Sequence, residues 1–214
     1  MMLDKTSAVQ DPQANAKKAE TDRKAAELIG VDMDAVRRVA KNLAGIIRAS
    51  QLTPIRIVIA GAAGSGKTTI ALALAKELGV KCIDLDEYIP GGHTDDKVEY
   101  ERRFNRGLYE AWDTVPHRSG WIIEHVRSCH KDLVGLYNPS FALLVDPGME
   151  RIRMAAAARA AVSTDAEQDR LARALETERA ADKQFTALHG IVLSREPKGY
   201  TLKALPSGVV QPEG

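Results

Sequence analysis

The stretch Ile55–Leu78 has the sequence IRIVIAGAAGSGKTTIALALAKEL and divides into three parts of different character. Its first residues are apolar and β-branched, which is typical of a buried parallel strand. Its last part, from Thr69 onward, is rich in Ala and Leu and predicts a helix that ends at Gly79. A glycine-rich segment separates the two parts. The stretch therefore predicts a strand, a tight loop and a helix in direct succession.

The loop has the spacing G-x-x-x-x-G-K-T, which is the phosphate-binding P-loop or Walker A pattern. Its glycines allow positive φ and let backbone N–H groups approach a phosphate, while the helix N-terminus favours an anion. Lys67 is expected to reach the β- and γ-phosphates, and Thr68 to place a hydroxyl on Mg²⁺. The alternative is a glycine-rich turn that binds nothing. The predicted nucleotide-binding residues are Gly61, Ala62, Ala63, Gly64, Ser65, Gly66, Lys67, Thr68 and Thr69.

Length and composition limit the class of protein. The 214 residues can bury a sizeable core and predict one domain with an appendage. A net charge of +1 gives no argument for general attraction to nucleic acid or membrane. The two cysteines are too few for a disulfide framework and fit a reducing compartment. With no membrane-spanning apolar run and no signal-peptide pattern, we expect a cytoplasmic protein without a membrane partner.

The N-terminal part differs from the rest. Residues 1–50 are predicted to form a polar tail and a helical extension, and residues 51–214 the P-loop domain. Asp32 is expected to cap the second helix of the extension. That helix has an apolar face at helical spacing, formed by Val36, Val39, Leu43, Ile46 and Ile47. This face either packs on the core or serves as a dimer arm or partner-binding element, so a homodimer through these helices is one hypothesis.

Acidic residues follow the second predicted strand, Lys81–Leu85. The carboxyl end of a parallel strand is the edge at which open α/β sheets bind ligands. Alternation along an extended chain predicts that Asp84 and Asp86 lie on the same side. We interpret Asp86 as a general base for a substrate hydroxyl and Asp84 as a ligand of metal or metal-bound water. The alternative is an acidic, solvated start of a loop.

The third predicted strand, Trp121–Val126, contains Glu124 near its end. A buried carboxylate there needs a partner, and Mg²⁺ would be one. Asp146, at the end of a fourth strand, is a rival metal ligand. For three further residues at the strand end, core or surface roles are favoured over a metal site; these are His125, Cys129 and His130.

A charged helix is predicted from a cap at Thr94 to Trp112. Its arginines alternate with acidic residues, which favours ion pairs along the helix. Alternatively Arg102, Arg103 and Arg106 bind an anionic group of the substrate. Further on, residues 149–188 are predicted to be helical, and a hairpin is predicted from Ile191–Leu193 and Tyr200–Leu205.

Taken in order, four segments resemble the small P-loop kinases, in particular uridine-kinase-like, gluconate-kinase-like and shikimate-kinase-like proteins. The segments are IRIVIAGAAGSGKTT, CIDLDEYIPGG, WIIEHV and FALLVDPGMERIRM, and the resemblance covers about residues 55 to 160. The resemblance implies an α/β fold, a three-layer sandwich around a mostly parallel five-stranded sheet. It also implies ATP with Mg²⁺ as cofactors and phosphoryl transfer to a hydroxyl.

The same resemblance assigns roles to residues. Lys67 and Asp86, or less well Asp84, are implied catalytic residues, and the lid at 149–188 is implied to supply an arginine from Arg151, Arg153 and Arg159, of which we choose Arg153. Thr68 and Glu124 are the implied metal ligands, to which we add Asp84 as a candidate. The lid is unusually rich in Ala, and the C-terminal hairpin departs from the family pattern.

Three functions follow as hypotheses. The first is a kinase that phosphorylates a hydroxyl of a small metabolite, nucleoside or nucleotide. The second is a kinase acting on a hydroxyl of nucleic acid, such as a hydroxymethylated base in DNA. The third is a P-loop ATPase switch that acts through a protein partner. An Asn-Lys-x-Asp motif for guanine is absent from the sequence, which argues against a Ras-like GTPase.

Overall fold

The computed structural model describes residues 20, 24, 30–61, 64–91, 94, 96–125, 131–146, 154–155, 157–158, 190–196 and 199–204. The helices in this part of the chain are α1 (Met33–Ala49), α2 (Lys67–Leu78), a 3₁₀ helix (Leu85–Tyr88), α3 (Lys97–Trp112) and α4 (Lys131–Tyr137). The strands are β1 (Arg56–Ala60), β2 (Lys81–Asp84), β3 (Trp121–Glu124), β4 (Phe141–Asp146), β5 (Gly190–Glu196) and β6 (Gly199–Ala204).

The strands form one sheet in the order β2-β3-β1-β4-β5-β6. Strands β1 to β5 all run in the same direction, and β6 pairs antiparallel with β5. The prediction of a mostly parallel sheet in an α/β fold is confirmed. The predicted count of five strands is wrong, because both strands of the C-terminal hairpin extend the same sheet and bring the total to six. The hairpin itself is confirmed.

Helices cover both faces of the sheet and make three layers. On one face α1 and α2 pack over Ile57 and Ile59 of β1 and over Ile122 of β3. On the other face α3 and α4 contribute Phe104, Leu108, Leu133 and Tyr137 to a second core, over Val58, Ile123 and Ala142. Alternate residues of each strand therefore enter different cores, as the two-residue period of a strand requires.

Helix α1 packs on the core of the same chain. Oδ1 of Asp32 accepts hydrogen bonds from the N–H groups of Asp34 and Ala35 at 3.0 and 2.9 Å, which confirms the predicted cap. The predicted apolar face is buried except for Ile46, which is 46% exposed. Ile46 was wrongly included, because one step of 100° along the helix turns it away from Ile47 and the core. Of the two alternatives for this face, core packing is the one observed.

Two predicted local features are corrected. The chain does not stay extended after Asp84 but turns into the 3₁₀ helix, and Oδ1 of Asp84 accepts from the N–H of Asp86 at 3.0 Å. Asp84 and Asp86 are therefore not alternate residues of one strand. Helix α3 is capped by Asp96 rather than Thr94, since Oδ1 of Asp96 accepts from the N–H groups of Val98 and Glu99. Thr94 instead accepts from the N–H of Asp96 at 3.4 Å.

Several predictions fall outside the described residues. They concern Ala62, Ala63, Arg153, most of the lid at 149–188 and most of the first helix of the extension. The division of the chain at residue 50 stays a prediction. In the part that is described, no helix combines the length and the apolar composition needed to cross a bilayer.

Candidate active site

The loop between β1 and α2 requires its glycines. Gly61, Gly64 and Gly66 have φ values of 155°, 80° and 91°. A Cβ added to Gly61 would lie 2.5 Å from Oγ of Ser65 and 2.7 Å from the carbonyl oxygen of Val145. The loop therefore needs positive φ angles at these glycines and a close approach of the Gly61 backbone to Ser65 and Val145. A larger residue would disfavour both. This is the conformational role that the sequence pattern predicted.

The N-terminus of α2 is suited to an anion. Its N-cap is Gly66, and no side chain of the described residues caps it, whereas Asp32 and Asp96 cap α1 and α3. Its first turn contains no acidic residue. The positive end of the helix dipole therefore carries no carboxylate of its own and can face a phosphate.

Lys67, Thr68 and Glu124 meet at this point. Oγ1 of Thr68 donates a hydrogen bond of 2.7 Å to Oε1 of Glu124. Nζ of Lys67 lies 3.8 Å from Oε2 of Glu124, and the two side chains are only 11% and 2% exposed. Oε2 receives no hydrogen bond from the described residues. The predicted phosphate-binding lysine, the predicted metal-binding hydroxyl and the predicted metal carboxylate thus lie in direct contact.

Burial shapes the electrostatics of Glu124. The pKa of its carboxyl is raised chiefly by burial, with Asp84 and Asp86 adding to the effect, while Lys67 and Thr68 oppose it. Asp84 lies beside Glu124 in the register of β2 and β3. The site therefore concentrates negative charge in a place where water is largely excluded, and a cation would relieve the cost.

The donor set fits Mg²⁺ but does not complete its coordination. Mg²⁺ prefers oxygen ligands, and Thr68 and Glu124 offer a hydroxyl and a carboxylate oxygen without a hydrogen-bond donor. Among the residues with described placement, no three His, Cys, Asp or Glu side chains form a metal-binding group. An ion here would need phosphate oxygens and water to fill its shell, which is the usual arrangement for Mg²⁺.

The second acidic position lies beside this contact, at the end of β2. Asp86 sits on the 3₁₀ helix with its side chain 45% exposed, and Nε2 of His125 is 3.1 Å from its Oδ1. Oδ1 of Asp84 accepts a hydrogen bond from the backbone N–H of Asp86. His125 was missed as a functional residue. Its position at the end of β3 was visible in the sequence, but its contact with Asp86 depends on the neighbouring strand.

The arginines of α3 are engaged in ion pairs. Nε and Nη2 of Arg102 donate to Glu99 at 2.7 and 2.8 Å, and Arg103 donates to the same carboxylate at 2.8 Å. Arg106 pairs with Glu110 at 2.7 Å. Hydrogen bonds from the two arginines lower the pKa of Glu99 to about 2. The predicted ion pairs are confirmed.

These arginines also line a surface depression of about 260 Å³, together with Pro90, Gly91 and Glu99. Two of the lining residues are joined, since Nη1 of Arg103 donates to the carbonyl of Gly91 at 3.3 Å. The role of Arg102, Arg103 and Arg106 toward a substrate anion stays a prediction. So do the metal role of Asp84 and the roles of Ala62, Ala63, Thr69 and Arg153.

One comparison with known protein families covers the glycine loop. The family model of the TIP49 P-loop domain matches residues 11–85, about a third of the chain. The fold is that of a P-loop NTPase domain. No curated protein sequence matches the chain at a significant level.

Solved structures of kinases align with the chain. A shikimate kinase from Bacteroides thetaiotaomicron is 21% identical, with 65% of this chain and 85% of that chain covered and a TM-score of 0.43. A sugar kinase from Janibacter sp. HTCC2649 is 25% identical, with 67% and 88% covered and a TM-score of 0.41. The strand order and the loop geometry, rather than these alignments, carry the fold assignment.

Proposed function

We propose that this protein is a kinase that transfers the γ-phosphate of ATP to a hydroxyl of a small metabolite, nucleoside or nucleotide. The observation that carries the proposal is the contact of Lys67 and Thr68 with Glu124 at the uncapped N-terminus of α2. A second carboxylate, that of Asp86, lies at the neighbouring strand end and is half exposed. The contact of Lys67, Thr68 and Glu124 suits a nucleotide with its cation, and the Asp86 carboxylate suits the hydroxyl of an acceptor.

Each residue has a role in this proposal. The backbone of the glycine loop and the start of α2 hold the phosphates, and the ammonium group of Lys67 counters the charge on the transferring group. Thr68 and Glu124 would hold Mg²⁺, which supplies charge neutralisation on phosphate oxygens when bound. Burial of Lys67 and Glu124 strengthens these interactions, because the site is poorly screened by water.

Asp86 acts on the acceptor. It orients the hydroxyl and takes its proton while the hydroxyl oxygen forms a bond to the γ-phosphorus. The bond from that phosphorus to the β–γ bridging oxygen breaks, and ADP leaves. Asp84 serves Asp86 by accepting its backbone N–H at 3.0 Å. A nucleotidase without an acceptor would use water in the same place.

The experiment is a transfer assay with ATP labelled at the γ-phosphate. Purified protein is incubated with pools of sugars, sugar acids, nucleosides and nucleotides, and with DNA that contains hydroxymethylated bases. The proposal expects label in one small-molecule pool. Label in DNA would instead support a nucleic-acid kinase, and label only in inorganic phosphate across all pools would support an ATPase switch.

Lys67→Ala is the control that ties the activity to this site. Loss of a charge at the transferring group raises the barrier by on the order of 3 kcal/mol, or about a hundredfold in rate. Wild-type turnover by a folded Lys67→Ala protein would overturn the proposal.

Two aspartate variants separate the roles at the second strand. Asp86→Asn should bind ATP like the wild type and lose about a hundredfold in transfer, the usual contribution of general-base catalysis. Asp84→Asn keeps the shape of the side chain and should chiefly change thermal stability or metal dependence. If Asp84→Asn abolishes transfer and Asp86→Asn does not, the two roles are reversed.

A further inference from the structure

His125 is a buried residue at the edge of the candidate site that the proposed mechanism does not use. Its backbone N–H donates to the carbonyl of Ile59 at 3.2 Å, which ties it to the end of the strand that leads into the P-loop. Its side chain is only 1% exposed. Because the residue follows Glu124, alternation along the strand sends the two side chains to opposite faces of the sheet. Glu124 meets α2, and His125 meets α3.

The imidazole ring is held by packing. It stacks on Phe104 of α3, with ring centroids 5.4 Å apart and an angle of 28° between the planes. Phe104 is fully buried in the core beneath α3. A ring confined between a strand end and a buried phenyl group has little rotamer freedom, so the position of its Nε2 is well defined.

That nitrogen faces the carboxylate of Asp86. Nε2 lies 3.1 Å from Oδ1 of Asp86, within ion-pair distance, although its angle falls outside that of a hydrogen bond. The Asp86 side chain is 45% exposed, and this contact is made on its buried side by a ring that is itself only 1% exposed. Its backbone is held by Asp84. The two ends of Asp86 are thus held by different neighbours, the backbone by Asp84 and the carboxylate by His125.

We infer that His125 is a positioning residue, which orients the Asp86 carboxylate toward the hydroxyl that attacks the γ-phosphate. The inference rests on the proposed function and adds a residue to it. An aspartate carboxylate can take several rotamers, and a small misplacement of a catalytic group can cost about a hundredfold in rate. A buried imidazole that is fixed by stacking and lies 3.1 Å from Oδ1 favours one of these orientations without itself touching the reactants.

Two substitutions separate positioning from packing. His125→Phe keeps an aromatic ring against Phe104 but removes the nitrogen that faces Asp86. His125→Gln removes the ring but keeps an N–H donor at a similar reach. Positioning predicts that the phenylalanine variant loses activity and the glutamine variant retains most of it. A role in packing alone predicts the reverse order.

The kinetic probe is the release of phosphate from MgATP with water as the acceptor, which needs no knowledge of the natural acceptor. We expect His125→Phe to lower kcat about tenfold, with KM for MgATP and the melting temperature near the wild-type values. His125→Gln should stay within about threefold of the wild type. In the double variant with Asp86→Asn, the loss should equal that of Asp86→Asn alone. The inference would be overturned if the kcat losses of His125→Phe and Asp86→Asn multiplied in the double variant. It would also be overturned if His125→Gln lost more activity than His125→Phe.

A second readout does not depend on turnover. In a protein with ¹⁵N-labelled histidine, Asp86→Asn should shift the ring nitrogens of His125 and leave those of His117 unchanged. His117 is the matched control, since its Nε2 lies 3.2 Å from the carbonyl oxygen of Trp112 and so has a different partner. Unchanged His125 resonances would overturn the inference. If the wild type neither binds nor hydrolyses ATP, the proposed function fails, and the NMR comparison still decides whether His125 and Asp86 are coupled.

Discussion

At the scale of single residues, the site depends on two neighbours in sequence that serve different faces of the sheet. Glu124 contacts Lys67 and Thr68 on the P-loop side, and His125 contacts Asp86 on the side of α3. The end of β3 therefore connects the predicted nucleotide site with the predicted acceptor site. A change at Glu124 should therefore affect the predicted nucleotide and metal site, and a change at His125 the predicted acceptor site.

The first prediction concerns the metal role of Glu124. Glu124→Gln keeps the shape of the side chain and removes its charge. Loss of a carboxylate at a metal site typically costs tenfold or more in metal affinity, so the half-maximal Mg²⁺ concentration for activity should rise about tenfold. Glu87→Gln is the matched control, because Glu87 is an exposed carboxylate on the adjacent 3₁₀ helix. An unchanged Mg²⁺ titration would assign the metal to another carboxylate.

The second prediction uses Cys82 as a reporter of the same charges. Burial raises the pKa of its thiol to about 12, and the carboxylates of Glu124 and Asp84 contribute. A higher pKa means less thiolate at a given pH. In a Cys129→Ser background, alkylation of native Cys82 by iodoacetamide at pH 8 should be roughly a hundredfold slower than in urea-unfolded protein.

The rate should also rise about tenfold per pH unit until the thiol ionises. Adding Glu124→Gln should speed the reaction, because it removes one of the charges that disfavour the thiolate. If the alkylation rate of the folded protein instead reached half its maximum near the ordinary pKa of a thiol, the prediction would be contradicted.

At the scale of secondary structure elements, α3 begins where a side chain caps it. Thr and Asp are both common helix caps, and the side chains of Thr94 and Asp96 each accept a hydrogen bond from a nearby backbone N–H group. Only Asp96 accepts from N–H groups inside the first turn, at 2.9 and 3.2 Å. Its negative charge also interacts favourably with the positive end of the helix dipole.

The third prediction follows from this cap. Asp96→Ala should lower the free energy of unfolding by about 1 kcal/mol, and Thr94→Ala by clearly less. Asp96→Asn retains a capping oxygen and should stay close to the wild type. Urea denaturation of the three variants checks the order. A larger loss for Thr94→Ala would mean that the helix begins earlier.

At the scale of the whole molecule, α1 is part of the core even though it precedes the P-loop strand. Its buried residues join those of α2, β1, β3 and β4 in one cluster. Arg48 near its end also donates to the carbonyl of Glu77 in α2. The extension is therefore bound to the helix that carries Lys67 and Thr68.

The fourth prediction compares two residues of α1. Leu43 is fully buried and Ile46 is 46% exposed. Leu43→Ala should cost about 2–5 kcal/mol in the free energy of unfolding, the range for core Leu to Ala changes. Ile46→Ala should stay within about 0.5 kcal/mol, as for most surface sites. Equal effects would contradict the packing of α1, and dissociation of a dimer by Ile46→Ala would support the predicted homodimer.

The sequence by itself determined the features whose causes are local. The strand, the glycine loop and α2 were predicted because β-branched residues, glycines at positive φ and a helix-forming run follow one another within 24 residues, Ile55–Leu78. The cap of α1 by Asp32 and the ion pairs on α3 depend on neighbours within one helical turn. The cap of α3 by Asp96 instead of Thr94 was missed, because both residues can cap a helix and they lie two positions apart. The 3₁₀ turn after Asp84 was missed because it depends on the Asp84 carboxylate accepting the N–H of Asp86.

Only the tertiary structure decided which of these parts meet. Thr68 and Glu124 are 56 residues apart in sequence, and they touch because β3 lies between β1 and β2. The same strand order brings His125 to Asp86 and joins the C-terminal hairpin to the sheet edge. Local propensities do not encode strand order. It is set by how the two cores pack on either face, and packing depends on side chains from all of these elements at once.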